Sequence, residues 1–140
     1  NVYIAWRQPG PITPWDQIGL ARSTDGGATS ASWTTTLTAG GERRIGRDMA
    51  LVAANGRLWV VAYVETANNE WKLRAFRYAT DFASFDQMGD LHDGNVSTTT
   101  SDSCDDCYVE AGAYNGRIFV VHNQNAASNG DLHYHSISIP

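Results

Sequence analysis

The segments NGRLWVVAY (residues 55–63) and NGRIFVVHN (residues 115–123) decide the fold, because they are two copies of one pattern. Each copy joins an Asn-Gly pair, a strong signal for a tight hairpin turn, to a nearly continuous apolar run. A shorter copy without the turn is VYIAW (residues 2–6). A recurring pattern rich in strand-forming residues predicts an array of similar β-sheets.

The whole chain divides into short apolar runs separated by turn residues, and no segment has the period of a helix. We name the strands of one repeat A to D. The predicted strands are B, C and D at 2–7, 18–24 and 33–38, then A to D at 49–55, 57–64, 71–79 and about 84–90, then A, B and C at 108–114, 117–122 and 131–138. The apolar B strands are typical of strands that neighbouring sheets cover on both faces.

Sheets of four antiparallel strands that pack radially make a β-propeller. The strand order BCD, ABCD, ABC therefore predicts an all-β fold with three partial four-stranded blades, at about 1–45, 46–105 and 106–140 of a single domain. Incomplete sheets have exposed edges, which invite association. We expect other copies of the chain, or further blades of a longer chain, to complete the assembly as a ring or as a fibre.

Charge and composition narrow the set of partners. The chain has 140 residues and a net charge of −5, which argues against nucleic acid because phosphate binding requires a concentrated basic surface. No apolar run reaches the ~20 residues of a transmembrane helix. No signal peptide precedes the first strand pattern, which is typical of a mature processed chain or of a fragment.

Two cysteines, Cys104 and Cys107, stand three positions apart before a predicted strand. No helical pattern follows Cys104, so a short-loop disulfide in an oxidising compartment is the plain interpretation, and it places the protein outside the cell. The alternative is a zinc site that both cysteines form with His133 and His135, which lie on one face of the last predicted strand. The sequence indicates no other cofactor.

The segment STDGGAT (residues 23–29) lies between strands C and D of the first unit. It resembles the Asp box, Ser-x-Asp-x-Gly-x-Thr-Trp, of the sialidase-like (BNR-repeat) propellers. Ser23, Asp25 and Gly27 match the box, whereas the aromatic residue, Trp33, comes three positions late. An Asp side chain accepts hydrogen bonds from the amides of its own turn and glycine supplies a positive φ, so we expect a structural role for Asp25.

The second unit carries a partial copy of the box, ATDFASF (residues 79–85), in which Asp81 and Phe85 take the roles of the Asp and the aromatic residue and Ala83 stands where glycine is expected. The third unit ends before the corresponding turn. The resemblance implies a β-propeller over essentially the whole chain. In this family the Asp boxes lie on the face opposite the active site, so Asp25 and Asp81 are expected to be fold markers.

Function is expected on the other face, where the B–C loops and the D–A connections gather, because a rigid scaffold aims such loops. The first B–C loop (7–17) begins at Arg7 and holds Trp15 and Asp16 among three prolines. This pair suits a sugar, since the indole stacks on the ring and the carboxylate accepts hydroxyl hydrogen bonds. The alternative is that Trp15 folds back to cap the blade. Asn95, in the second D–A connection, begins a glycosylation pattern.

The first D–A connection contains Arg43, Arg44 and Arg47, followed by Asp48. Arginine binds a carboxylate through two parallel hydrogen bonds, as an acidic sugar would require. The alternative is a solvated charge cluster on the rim, because charged side chains are mostly exposed.

The resemblance to sialidases also bears on catalysis. Those enzymes use three arginines, a Tyr/Glu nucleophile pair and an aspartic acid, and their first arginine lies in a Phe/Tyr-Arg-Ile-Pro motif. In RRIG (residues 43–46), Gly46 stands where that motif has proline. Asp16, Asp48 and Glu65 are the candidate carboxylates of a glycosidase. We expect a non-catalytic role, in glycan binding or structural assembly at the cell surface; the alternative is part of a glycoside hydrolase that other blades complete.

Overall fold

The computed structural model of the protein describes residues 1–9, 16–29, 34–37, 44–65, 71–80, 85–91, 107–124 and 131–139. These ranges contain ten β-strands and no helix, and so no membrane-spanning helix. The strands are β1 (Val2–Pro9), β2 (Asp16–Ser23), β3 (Thr34–Leu37), β4 (Arg44–Ala54), β5 (Arg57–Glu65), β6 (Trp71–Ala79), β7 (Phe85–Asp90), β8 (Val109–Tyr114), β9 (Arg117–Gln124) and β10 (Asp131–Ser138).

The strands form three antiparallel sheets, with the orders β1-β2-β3, β4-β5-β6-β7 and β8-β9-β10. We call them sheets 1, 2 and 3. The predicted all-β class and the predicted grouping of the strands are confirmed. The described strands neither close as a barrel nor complete a ring.

The strand bounds differ from prediction mainly at β4, which begins at Arg44 rather than at residue 49. Its register with β5 shifts between Ile45 and Met49, so pairing resumes on the far side of an irregular segment. Such bulges interrupt the alternation of side chains on which a sequence pattern depends.

Two tight hairpins, at Asn55-Gly56 and Asn115-Gly116, join β4 to β5 and β8 to β9. All four residues have a positive φ: 51° and 68° in the first hairpin, 49° and 71° in the second. Asn and Gly tolerate this region, and a two-residue turn with both φ values positive matches the twist of the strands that it joins. The predicted Asn-Gly turns are confirmed.

Sheet 2 is the middle layer of the described sheets, because β5 buries side chains on both of its faces. The even-numbered residues of 58–64 join a core with sheet 1, and the odd-numbered residues of 59–63 join a core with sheet 3. We call these cores the first seam and the second seam. The buried residues of the first seam are Ile18, Leu20, Ile45, Leu58, Val60, Ala62, Val64, Phe76 and Tyr78. Those of the second seam are Ala50, Val52, Trp59, Val61, Tyr63, Trp71, Leu73, Ala75, Cys107, Val109, Ile118 and Val120.

The sheets are stacked with like ends together. Asp16, at the start of β2, reaches Ile45 near the start of β4. At the opposite end, Arg22 Nη1 donates a hydrogen bond of 3.0 Å to the carbonyl of Thr80, just after β6. One side of the stack therefore carries the ends joined by the B–C loops and D–A connections, and we call it the loop side. The turn side carries the hairpins and the Asp box.

Candidate functional site

The first predicted carboxylate, Asp16, is already engaged on the loop side. Its Oδ2 lies 2.9 Å from Arg7 Nε in an ion pair and accepts a hydrogen bond of 3.0 Å from the backbone N–H of Ile45. The Asp16 side chain is 11% exposed, whereas that of Arg7 is 45% exposed. Asp16 therefore links sheet 1 to the first strand of sheet 2, and it presents little carboxylate surface to a ligand.

Asp48 forms the corresponding link across the second seam. Its Oδ2 accepts a hydrogen bond of 2.9 Å from the backbone N–H of Val109, the first residue of β8. Its Oδ1 accepts one of 3.0 Å from the N–H of Met49. A carboxylate that holds two backbone amides satisfies donors that an irregular strand start would otherwise leave without partners. Asp48 thus links the start of β8 to sheet 2.

Glu65, the third candidate carboxylate, ends β5 and is 2% exposed. Its register partner on β6 is Trp71, which is also buried. A carboxylate at this depth lies beneath the surface that a sugar would contact. Asp16 and Asp48 therefore link neighbouring sheets, and Glu65 is buried at the end of β5.

Three other predicted site residues lie in strands of sheet 2. Arg44 and Arg47 are residues of β4, and Phe85 begins β7 opposite Tyr78. Predictions for the following residues lie outside the described residues: Trp15, Arg43, Asp81, Asn95 and Cys104.

The Asp-box segment forms a closed hydrogen-bond network on the turn side. Asp25 Oδ1 accepts bonds from Ser23 Oγ at 2.7 Å and from the N–H of Ala28 at 3.1 Å. Asp25 Oδ2 accepts one of 2.9 Å from Thr29 Oγ1, and the N–H of Gly27 donates one of 2.7 Å to Ser23 Oγ. The two glycines of the turn have φ values of 74° and 86°, a region that glycine enters without strain. Asp25 binds its own turn, at the opposite end of the sheets from Asp16.

A polar cluster that the sequence analysis did not predict lies in the second seam. His122 is 1% exposed, its Nδ1 lies 2.7 Å from the Tyr63 hydroxyl, and its Nε2 lies 3.0 Å from His135 Nε2. The Tyr63 hydroxyl also donates to the carbonyl of Asn123. The His133 ring lies 5.4 Å from that of His122, centroid to centroid. Burial raises the pKa of Tyr63 well above the usual 10.0, so its hydroxyl stays protonated.

The donor inventory of this cluster assigns its protons. Tyr63 has one hydroxyl hydrogen, which the Asn123 carbonyl takes, so His122 Nδ1–H must donate to the phenol oxygen. The Nε2 atoms of His122 and His135 lie 3.0 Å apart, within hydrogen-bond distance. The register between β9 and β10, which sets His122 opposite His133, brings the histidine rings together. The sequence signal for this cluster was His133 and His135, two positions apart on one strand, with His122 on the neighbouring strand.

The zinc alternative loses one of its ligands in this structure. Cys107 is disulfide-bonded and buried, and a disulfide sulfur is not a thiolate ligand. Among the residues that the structure describes, no group of three or more His, Cys, Asp or Glu side chains has the arrangement of a metal site. His133 and His135 instead belong to the cluster around His122.

Comparisons with protein-family profiles, with curated proteins and with solved structures find no match. The resemblance to sialidase-like propellers is one of sequence, in the Asp-box residues and the repeated strand pattern.

Proposed function

We propose that this chain is a non-catalytic, extracellular segment of a sialidase-like β-propeller that binds glycans on its loop side. The observation that carries the non-catalytic part is the engagement of two of the three candidate carboxylates on the loop side. Asp16 and Asp48 each accept the backbone N–H of the first strand of the next sheet. Acid–base or nucleophilic catalysis requires a carboxylate within reach of the substrate, and these oxygens hold the protein backbone instead.

Three features support the propeller. The sheets repeat one strand order, they are stacked with like ends together, and the strand that begins sheet 2 approaches the strand that begins sheet 3 most closely. Radial packing brings first strands closest in this way, because the inner strands of neighbouring blades converge on the axis. The Asp-box hydrogen bonds between β2 and β3 add the turn chemistry of the family.

Glycan binding is supported by what the loop side presents. Arg7 is half-exposed and lies beside Asp16. Trp15 is the residue directly before Asp16 in the chain. A planar guanidinium suits an acidic sugar, and an indole suits the apolar face of a pyranose ring. In sequence, Arg43 comes directly before β4, and Arg44 and Arg47 are among the first four residues of β4, at its loop-side end. Fold likeness alone does not establish function, so this proposal depends on the residues named.

Structural assembly is the second candidate, and a different observation favours it. Several large apolar side chains are exposed on the two sheets that flank sheet 2, among them Ile4, Leu132 and Tyr134. Exposed apolar groups on sheets of an array indicate contact with another layer. This candidate does not exclude glycan binding, because the apolar faces and the loop side are different surfaces.

The test is a glycan array followed by calorimetry on the wild type and on two variants. We expect binding of acidic glycans by the wild type, its loss in Trp15→Ala, and its retention in Thr24→Ala, whose substitution lies on the turn side. Aryl glycosides should be left intact. Hydrolysis that Asp48→Asn abolishes would instead identify a glycoside hydrolase. The absence of glycan binding in a folded wild type would leave only the structural role.

A further inference from the structure

Sheets 1 and 3 each have one face in a seam and one face outside it. On β1, Tyr3 and Ala5 pack against the first seam, so Val2, Ile4 and Trp6 lie on the opposite face, the outer face of sheet 1. On β9, Ile118 and Val120 lie in the second seam. The outer face of sheet 3 therefore carries Phe119 and Val121 of β9 with their neighbours Leu132 and Tyr134 of β10.

The sequence repeat shows what the outer face of sheet 1 corresponds to. Aligning VYIAW with LWVVA places Val2 at the position of Leu58 and Ile4 at that of Val60. Leu58 and Val60 are 0% exposed because sheet 1 covers them, whereas Val2 and Ile4 are 39% and 45% exposed. The outer face of sheet 1 is thus the counterpart of a face that sheet 2 buries completely.

The same comparison applies to sheet 3. Phe119 stands at the position of Trp59, and Leu132, opposite Asn123, stands at the position of Leu73, opposite Tyr63. Leu73 is 0% exposed under sheet 3, whereas Leu132 is 77% exposed. Tyr134, 60% exposed, stacks on Phe119 with ring centroids 6.0 Å apart. The outer face of sheet 3 is the counterpart of the other face of sheet 2.

Each seam joins the same two kinds of face. The face that carries Tyr3 in sheet 1 and Trp59 in sheet 2 packs on the face that carries Val60 in sheet 2 and Val120 in sheet 3. The two uncovered faces are one of each kind, so they fit each other as the faces of a seam do. A contact between different faces of two copies is a heterologous interface.

We propose that a second copy of this chain docks its sheet 1 outer face, centred on Ile4, onto the sheet 3 outer face, centred on Leu132 and Tyr134. The centre of the contact is apolar, and the exposed charges Glu110 and Arg117 lie on the same sheet 3 face as Val121. An apolar centre bordered by charges is the usual composition of a protein interface. This inference rests on the proposed function, because it assumes that sheets of different copies stack as the sheets within one copy do. It identifies the surface through which copies assemble.

The test uses sedimentation velocity on the wild type, Ile4→Asp, Leu132→Asp and the control Thr24→Asp. Each of the first two variants places a charge in one face only, at a side chain exposed enough for the chain to fold. We expect the wild type and Thr24→Asp to form a discrete assembly, and each face variant to weaken self-association at least about tenfold. Circular dichroism confirms that each variant is folded.

Mixing the two face variants distinguishes a heterologous contact from any other. The Ile4→Asp chain keeps an intact sheet 3 face, and the Leu132→Asp chain keeps an intact sheet 1 face. An equimolar mixture should therefore form a two-chain species that neither variant forms alone. A wild type that stays monomeric at every soluble concentration would overturn the proposal, as would a mixture that stays monomeric. Neither result affects the glycan test, because the variants leave the loop side unchanged.

Discussion

The two seams of this protein have the same plan and differ in one polar cluster. Both bury alternating side chains of β5, and in both a carboxylate of the earlier sheet holds the first strand of the later one. The buried core of the first seam consists of apolar residues, Phe76 and Tyr78. The second seam adds the hydrogen-bonded chain of Tyr63, His122 and His135.

The difference comes from single positions of the repeat. His122 stands where sheet 2 has Ala62, and Tyr63 stands where sheet 1 has Arg7. An apolar seam depends on volume and loses stability in proportion to the cavity that a substitution creates. A buried polar cluster depends on individual donors and acceptors, because each unsatisfied group retains its full desolvation cost. The second seam should therefore be sensitive to the removal of the Tyr63 hydroxyl and to alkaline pH.

The largest effect should be common to both seams. Leu58 and Ile118 occupy the same repeat position and are both 0% exposed, one in each seam. We expect Leu58→Ala and Ile118→Ala each to lower the free energy of unfolding by about 2–5 kcal/mol. Urea denaturation measures both. A loss at one position and none at the other would break the equivalence of the seams.

The next effect should be confined to the second seam. Tyr63→Phe removes the hydroxyl that pairs with His122 Nδ1 and the Asn123 carbonyl, and we expect a loss of about 1–3 kcal/mol. The control is Tyr3→Phe, whose hydroxyl bonds to Asn1 at an exposed site and should change stability by less than about 0.5 kcal/mol. Equal effects of the two substitutions would show that the cluster adds nothing to the second seam.

The pH dependence of stability should come from the same hydroxyl. The pKa of Tyr63 in the folded protein lies above the usual 10.0, so the unfolded chain releases this proton first as pH rises. The contribution is fully present below pH 10 and is lost above it, by up to about 1.4 kcal/mol per pH unit. The difference between wild type and Tyr63→Phe in urea denaturation from pH 9 to 11 isolates this proton. Parallel curves would contradict the prediction.

The smallest effect should lie outside both seams, in the Asp box. Asp25→Ala removes three acceptor contacts in an exposed turn, and we expect a loss of about 0.5–2 kcal/mol. Glycan binding should be unchanged, because the box is on the turn side. Loss of binding in a variant of nearly normal stability would assign Asp25 a role in recognition.

The sequence predicted the sheets well because strand signals are local. Alternation, Asn-Gly turns and the repeat place β6 and β10 at their observed bounds. The start of β4 was missed, since a bulge interrupts the periodicity there. The roles of the site residues depend on distant partners. Asp16 and Asp48 bind amides 29 and 61 positions away, and no local pattern distinguishes such a link from a catalytic carboxylate.

The most direct test of the account is amide hydrogen exchange at Ile45 and Val109, the two backbone donors that the loop-side carboxylates hold. Both amides should be protected in the wild type. Asp48→Ala should speed exchange at Val109 at least about tenfold and leave Ile45 unchanged, and Asp16→Ala should do the reverse. Unchanged exchange at both amides, together with loss of a glycosidase activity in either variant, would contradict the structural role and return these carboxylates to catalysis.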